Sequence, residues 1–463
     1  MRSTPELSAR DGLTRLATYA YTIATWVEDD GYPLSVVVDT SVDPEGGVAS
    51  FAPPAGLAVP TDRDVSLTGT HIRPQPGYGY DQRRHLTVWG RVTAGPDGGL
   101  TLVAQRSWGW DESEVPFFEY SERSTGQSRK YFDALSAERG TPVRPRLSLG
   151  FLTLRTTRLP FLTATFVPVL LGIAIAASHG WFDLPAALLT VIGASFVHLA
   201  INVSNDVFDT LQGADDANVT PTQYSGGSRV IQYGLVSIRR MAALAFAFYA
   251  AAAAIGLALL ALRGSAELLL IGALGFAVGI GYTAPPVKLV YRGLGEIAVA
   301  IGFGPLMLLG AYVVQSRGAL SWEPFVASIP VALLIALILY VNEIPDRRGD
   351  AHAGKRTLPV RFSRQAVIRG YEAAVVIAFG AIVVGVVVGV LPVPALVALL
   401  ALPLARRVRA GLEPNYDNPY GLMAYLGVNV KLHLYAGLLL LAAYLVVLVA
   451  GAVAPGVPLF VGG

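Results

Sequence analysis

The sequence predicts a multi-pass α-helical membrane protein with an N-terminal soluble β-barrel domain, and three observations lead there. First, 53% of the 463 residues are hydrophobic and 15% are charged, against about 25% charged in an ordinary soluble domain, and mean hydropathy is +0.51. Second, apolar stretches of about 18 to 25 residues, long enough to cross roughly 30 Å of hydrocarbon, recur from Leu159 onward. Third, residues 1–140 contain no such run and break into short apolar segments punctuated by Gly, Pro and Asp, the pattern of strands joined by turns. A disordered chain and a cytosolic globule are both excluded by this composition. The 35 Lys+Arg nearly balance 33 Asp+Glu, leaving +2, so global charge makes no case for a nucleic-acid partner. With no cysteine, disulfides, thiolate nucleophiles and Cys-ligated metals are excluded. The six histidines show no metal-ligand spacing, so any metal is expected on oxygen ligands.

Along the front domain, Thr22 to Val27 and Ser35 to Asp39 read as a pair of strands. Between them Asp30-Gly31 supplies the positive φ of a hairpin turn. Further strands are expected at 65–68, 86–92 and 100–104, with one helix beginning near Val115 and another over 127–137, where Tyr131, Phe132 and Leu135 share a face. Several short strands without intervening helices point to a small barrel. Met1 to Gly12 has no apolar core, so no cleavable signal peptide is expected. The polar stretch from Ala137 to Pro145 holds two prolines and reads as a linker, which sets domains at 1–140 and 156–455 with the linker at 141–155.

Nine membrane spans are expected, at 159–178, 184–205, 241–262, 266–283, 294–314, 324–341, 368–390, 392–405 and 431–452, the eighth short enough to be re-entrant. With a cytoplasmic N-terminus, the inner loops carry most of the Arg and Lys, while the outer loops carry little beyond Arg263 and Arg317. That asymmetry obeys the positive-inside rule and places the front domain and the chemistry on the cytoplasmic side of the cell membrane.

Chemistry concentrates at two inner loops. Asn202, Asp206 and Asp209 lie at i, i+4 and i+7, with Asn205 and Asp215 close by, so on a helix they point roughly one way. Asn342, Asp346 and Asp350 repeat at i, i+4 and i+8 and are followed by Lys355 and Arg356. A lone acidic loop is usually a solvated one. Two such clusters at helix ends, each followed by cations, describe Mg²⁺ bridging a diphosphate, because Mg²⁺ takes a few carboxylates plus phosphate oxygens and water. Pro345 inside the second cluster is expected to unwind that helix end.

These motifs, together with Gly226-Gly227-Ser228-Arg229, Tyr282-Thr283-Ala284-Pro285-Pro286-Val287-Lys288, Tyr291-Arg292-Gly293 and Gly310-x-Tyr312-x-x-Gln315, resemble the UbiA-type intramembrane prenyltransferases over about 300 residues. Within them they look most like the menaquinone-pathway branch that acts on 1,4-dihydroxy-2-naphthoate. One departure is Gly213 where many relatives carry the last Asp of the first motif, with Asp215 as the nearby substitute. The resemblance implies a nine-helix bundle with a cavity open to membrane lipid, and a Mg²⁺-dependent transfer from a prenyl diphosphate to an aromatic acceptor. It assigns the metal to Asn205, Asp206, Asp209, Asp346 and Asp350, and chemistry also to Lys288 and Tyr291. It assigns substrate contacts to Asn202, Asp215, Arg229, Tyr282, Arg292, Tyr312, Asn342, Lys355 and Arg356. Hydroxybenzoate, homogentisate, haem, chlorophyllide and glycerol-phosphate acceptors use the same loops in other relatives and stay open. A transporter, with carboxylates spread near the bilayer midplane, is the rival from another class.

The order Ala24-Thr25-Trp26, Asp30-Gly31-Tyr32-Pro33 and Arg83-Arg84-His85 to Arg91 resembles the split-barrel flavin-binding fold of the pyridoxamine-phosphate-oxidase type. That resemblance implies FMN or a related flavin, with Arg83, Arg84, Arg91 and His71 as phosphate contacts and Trp108, Trp110, Phe117, Phe118 and Tyr120 as stacking partners. The plainer alternative is solvated charge on barrel strands and ordinary aromatic packing. If the barrel were the working part and the helices only its anchor, bound flavin and no dependence on Asp206 or Asp346 would follow.

Overall fold

The computed structural model describes residues 7–74, 80–95, 98–143, 147–218, 221–222, 224–454 and 458–462. Met1 to Glu6, Arg144 and Pro145 of the expected linker and the Phe118 side chain lie outside the described residues. The chain forms two compact units, Met1–Ser128 and Arg129–Gly463.

The first unit opens with α1 (Ala9–Leu16), capped by the Ser8 side chain. Seven strands follow: β1 (Thr22–Val27), β2 (Pro33–Val38), β3 (Thr40–Asp43), β4 (Val48–Phe51), β5 (Asp64–Pro74), β6 (Tyr80–Ala94) and β7 (Leu100–Asp111). They make one antiparallel sheet in the order β2-β1-β5-β6-β7-β4-β3. The two edge strands β2 and β3 are separated in the chain by Asp39 alone, so the sheet must curl until its edges meet. Thr22 and Thr40 share a 2.9 Å hydroxyl bond at that seam. The expected hairpin is present, with Val27 opposite Pro33 and Gly31 at φ 85°. Alternate residues turn inward, and Trp26, Leu67, Leu86 and Leu102 meet Leu13 and Leu16 of α1 in one core, each at most 1% exposed. At the β6–β7 irregularity a Cβ on Gly90 would lie 1.9 Å from the Val103 carbonyl oxygen, so only glycine fits. In place of two helices the structure has one, α2 (Phe117–Arg139), within which the division between units falls. Gly126 does not break it, since an interior glycine costs only about 1 kcal/mol.

The second unit begins with α3 (Leu149–Thr157), α4 (Thr163–Ser178), α5 (Leu184–Leu211) and α6 (Ala214–Ala217), and continues with α7 (Ile238–Arg263) and α8 (Ala266–Gly281). Next, α9 (Gly295–Ile301) and α10 (Met307–Ser316) join through a widened turn at Gly302–Leu306 that accommodates Pro305. Then come α11 (Trp322–His352), α12 (Leu358–Arg361), α13 (Arg364–Val387), α14 (Leu402–Asn415) and α15 (Pro419–Val453). Among the described residues six helical spans are long and apolar enough to cross a membrane, and α4 and α8 are shorter apolar helices. The count of nine is not reached. The expected eighth span is 3-10 helix over Val393–Ala401 and then α14, which carries Arg406, Arg407, Arg409 and Glu413.

α11 is the most enclosed span, with 72% of its apolar window buried, and it packs against α9, α13 and α15. It stays helical through Pro330 and Pro345, which corrects the expectation of unwinding at Pro345. A lost hydrogen bond and ring clash cost about 3 kcal/mol, and packing along so buried a helix outweighs that.

Candidate active site

The C-terminal ends of α5 and α11 come together at one end of the helical unit. At 3.6 residues per turn, Asn202, Asn205, Asp206 and Asp209 spread over an arc of about 100° on α5, with Asn205 and Asp206 at its two edges. Asn202, Asn205 and Asp209 face a cavity shared with Asp346 and Asp350 of α11. Asp215, Tyr282, Asn342 and Lys355 line the same space.

Each carboxylate is held by identifiable partners. Asp209 accepts from Tyr291 Oη at 2.8 Å and from Asn205 Nδ2 at 3.1 Å. Lys355 Nζ lies 3.4 Å from Asp209 Oδ2 and 3.7 Å from Asp350 Oδ1, bridging the two helices. Asp346 accepts from Asn218 Nδ2 at 2.8 Å and from the Gly226 backbone N–H at 2.9 Å. Asp206, 2% exposed, is paired with Arg158 and accepts from the Ser228 N–H at 3.3 Å. The Gly226-Gly227-Ser228 loop thus ties one carboxylate of α5 and one of α11 through main-chain donors. Both glycines sit at φ 77°, and a Cβ on Gly227 would stand 2.8 Å from both Asp215 carboxylate oxygens. A side chain at this position would collide with the acid it packs on.

Burial alone would push the Lys355 ammonium down, but Asp209 and Asp350 outweigh it and hold its pKa well above the ordinary lysine range. Asp215 moves the other way: burial first, then Asp209 and Asp206, raise its carboxyl well above the usual range. Burial and the neighbouring Asp209 likewise push the Tyr291 phenol up.

Several residues singled out from sequence lie outside this cavity. Arg229, expected as a substrate contact, is buried and donates to the Asp215 carbonyl. Lys288 stands with its Nζ 5.5 Å from the Tyr291 ring centroid, and Tyr291 itself reaches the site through Asp209 and through Lys355, whose Nζ is 5.5 Å from its ring centroid. Arg292 is exposed and donates to the Pro286 carbonyl at 2.9 Å, and the Arg356 side chain is exposed. Tyr312 is at the opposite end of its span. It lies 17 positions after Gly295, about 25 Å along a helix, and its hydroxyl meets His179 Nδ1 at 2.9 Å while His179 Nε2 meets Glu323 at 2.7 Å. Conversely, Arg158 and Asn218 were not anticipated. Arg158 stands just before the first span, but its pairing with Asp206 crosses 48 positions and leaves no local signature.

Among the described residues no three Asp, Glu or His groups converge closely enough to hold a metal unaided. Asp215 Oδ2 and Asp350 Oδ2 are nevertheless buried without a hydrogen-bond partner. Orphaned carboxylate oxygens beside Asn205 and Asp209 suit a hard divalent cation that completes its shell with phosphate oxygens and water.

A flavin finds no support in the first unit. Arg83 is paired with Glu112 at 3.0 Å and stacked on Phe117 at 3.7 Å, and Arg84 lies over the Tyr19 ring at 5.1 Å. The aromatic groups stack on each other, Trp110 on Tyr120 at 4.3 Å and His85 against Trp108 at 4.9 Å, which is packing.

From the carboxylate end, a second, almost wholly apolar cavity runs between α5, α7, α8 and α10, sharing Ile201, Tyr282, Val299 and Phe303 with the first. A greasy channel that ends in carboxylates, amides and a bridging lysine accommodates an amphiphile with a long hydrocarbon tail and an anionic head, the substrate shape of an intramembrane prenyltransferase. Residues 165–426 match the UbiA prenyltransferase family, and the chain belongs to it: an integral membrane enzyme that transfers prenyl groups. It is 27% identical over 293 residues to the 1,4-dihydroxy-2-naphthoate octaprenyltransferase of Bacillus subtilis, covering 63% of this chain and 92% of that protein. It is 28% identical over 296 residues to the 2-carboxy-1,4-naphthoquinone phytyltransferase of Synechocystis, again 63% and 92%. Among solved structures, the apo UbiA homolog from Aeropyrum pernix K1 aligns at TM-score 0.47 and 19% identity over 61% of this chain and 97% of that one.

Proposed function

We propose that the protein transfers a polyprenyl group from a prenyl diphosphate to 1,4-dihydroxy-2-naphthoate in a Mg²⁺-dependent reaction of menaquinone biosynthesis. The observation that carries this reading is the apolar channel opening directly onto the two carboxylate clusters that Lys355 bridges. The naphthoate acceptor is supported by the activities named for the two relatives covered at 92% of their length.

Asn205, Asp209, Asp346 and Asp350, with Asp206 behind them, would hold Mg²⁺, which supplies positive charge against the diphosphate as it leaves. Lys355 offers an ammonium to the same oxygens. Asn202, Asn342 and Asp215 orient the head group at the mouth of the channel. Tyr291 and Asn205 fix the Asp209 carboxylate by hydrogen bonds. The Tyr282 ring lies where both cavities meet and offers a π face to the allylic carbon as charge develops. The channel wall excludes water that would otherwise capture that carbon.

The Lys and Arg distribution supports a cytoplasmic site, and the front domain at 1–140, a split-barrel-like module joined through 141–155 to a transferase domain at 156–455, would share that side. The test is Mg²⁺-dependent transfer from a labelled prenyl diphosphate with purified protein in detergent and a panel of aromatic acceptors. Lipid product with dihydroxynaphthoate, lost in Asp209→Asn and Asp350→Asn, is the expected result. Full activity in both variants would remove the diphosphate-site assignment, and transfer only to another acceptor would remove the naphthoate.

A further inference from the structure

A buried imidazole stands at the junction of the two cavities, and the mechanism above leaves it unused. His198 lies on α5 four residues before Asn202, about 6 Å further into the bundle. It is 4% exposed and lines both the carboxylate cavity and the apolar channel. Its Nδ1 is 2.7 Å from the hydroxyl of Thr165, itself fully buried. Its ring meets Phe303 edge to face, with centroids 4.9 Å apart at 73°. The ring is therefore anchored on one side by α4 and braced on another by Phe303. Nε2 has no hydrogen-bond partner among the described residues and borders the cavities.

A ring nitrogen that borders an apolar cavity without a partner is a ready hydrogen-bonding group, and a hydrocarbon tail offers it nothing. On the transferase reading the head group lies beyond it along α5, from Asn202 one turn away to Asp209 about three turns away. Between head and tail is the allylic carbon, which the ring that attacks it must approach to about 3–3.5 Å. A hydroxylated aromatic ring placed there meets Phe303 with its face or edge and His198 Nε2 with its hydroxyl. An imidazole nitrogen pairs with a hydroxyl in either tautomer, because a hydroxyl both donates and accepts.

We propose that His198 Nε2 is the hydroxyl-recognising contact for the aromatic acceptor, held in register by Thr165 and Phe303, so that the acceptor binds at the junction of the two cavities. This rests on the transferase reading above and adds to it a specificity-determining residue.

The experiment compares wild type with His198→Phe, His198→Gln and Thr165→Val in detergent, varying the aromatic acceptor and the prenyl diphosphate separately and measuring prenyl alcohol beside prenylated product. Wild-type transfer is established first, so failure of the transferase reading shows before any variant is assayed. In His198→Phe, kcat/KM for the acceptor should fall about 10- to 100-fold, with KM for the diphosphate within about twofold and a larger share of turnover ending in prenyl alcohol. His198→Gln, which keeps a polar end, should recover part of the loss, and Thr165→Val should show a smaller loss of the same kind. O-methylating the acceptor should harm wild type as much as His198→Phe does, and should add little in that variant. Equal effects on both substrates, unchanged acceptor kinetics, or an O-methyl penalty undiminished in His198→Phe would each overturn the proposal. If His198→Phe does not fold, the Gln and Val variants carry the same comparison.

Discussion

Replacing Lys355 with methionine removes the cation that bridges α5 and α11 while keeping most of its volume. Its ammonium lies 3.4 Å from Asp209 and 3.7 Å from Asp350, with only 12% of the side chain exposed. At an effective dielectric near 20, each contact corresponds to about 4 to 5 kcal/mol of Coulomb attraction before desolvation is subtracted. Stripping one partner from a buried pair costs about 3–5 kcal/mol, because the remaining charges are left uncompensated. The expected loss of stability in Lys355→Met is therefore about 3 kcal/mol, and some 3 °C or more in melting temperature for a unit of this size. Combining it with Asp350→Asn should restore part of that stability without restoring transfer, since the second carboxylate is then gone. Thermal unfolding in detergent at pH 7, with transfer assayed on the same samples, reads both. A Lys355→Met protein that melts with wild type and retains full turnover would refute the bridge as a structural and catalytic element. As the Lys355 pKa is raised, its contribution is fully present below about pH 10.4, the unfolded value, and fades only as pH climbs through the folded value.

Three further outcomes follow from particular contacts. Gly227→Ala should destabilise the loop by about 1–2 kcal/mol from its left-handed backbone alone and more from the 2.8 Å approach to Asp215, and transfer should fall in parallel; wild-type activity would contradict the packing. Asp215 has a raised carboxyl pKa, so the folded protein holds that proton more tightly than the unfolded chain, and stability falls as pH rises from about 4 toward the folded value. Asp215→Asn should flatten that slope in melting curves taken across pH 4 to 8 (about the carboxylate-to-neutral range). Tyr312→Phe should lower the melting temperature through loss of the His179 bond yet leave KM for the prenyl diphosphate unchanged, separating a remote packing role from substrate contact.

Local pattern made the first hairpin legible, because alternation and Asp30-Gly31 both act within a few residues. It failed at β3 and β4, which are four residues each, too short for a period to register. It failed again at α1, where Leu13 and Leu16 are the only large apolar anchors. At the site, helical spacing brought the acids to one face of α5 but could not say that Asp206, at the edge of the arc, turns to Arg158 while Asp209 enters the cavity. Long-range pairing decides that, as it does for Arg229. Tyr312 was misplaced for a simpler reason: family motifs name positions without saying which end of a helix they occupy, although counting residues from Gly295 does.

In the front unit, one chain segment interrupted only at Asp39 supplies both margins of the sheet. A flat sheet of seven strands would leave two rows of unsatisfied main-chain donors and acceptors ready to template a neighbouring molecule. Here β2 and β3 pair on one side only, with β1 and β4, and they meet end to end at Asp39 as strands of six and four residues, so no long straight edge is left to template a neighbour. For a domain concentrated in two dimensions by its own membrane anchor, that is protection against clustering. Amide exchange should separate the two sides of each margin, with β2 and β3 protons bonded to β1 and β4 retained and those on the outer side exchanging early.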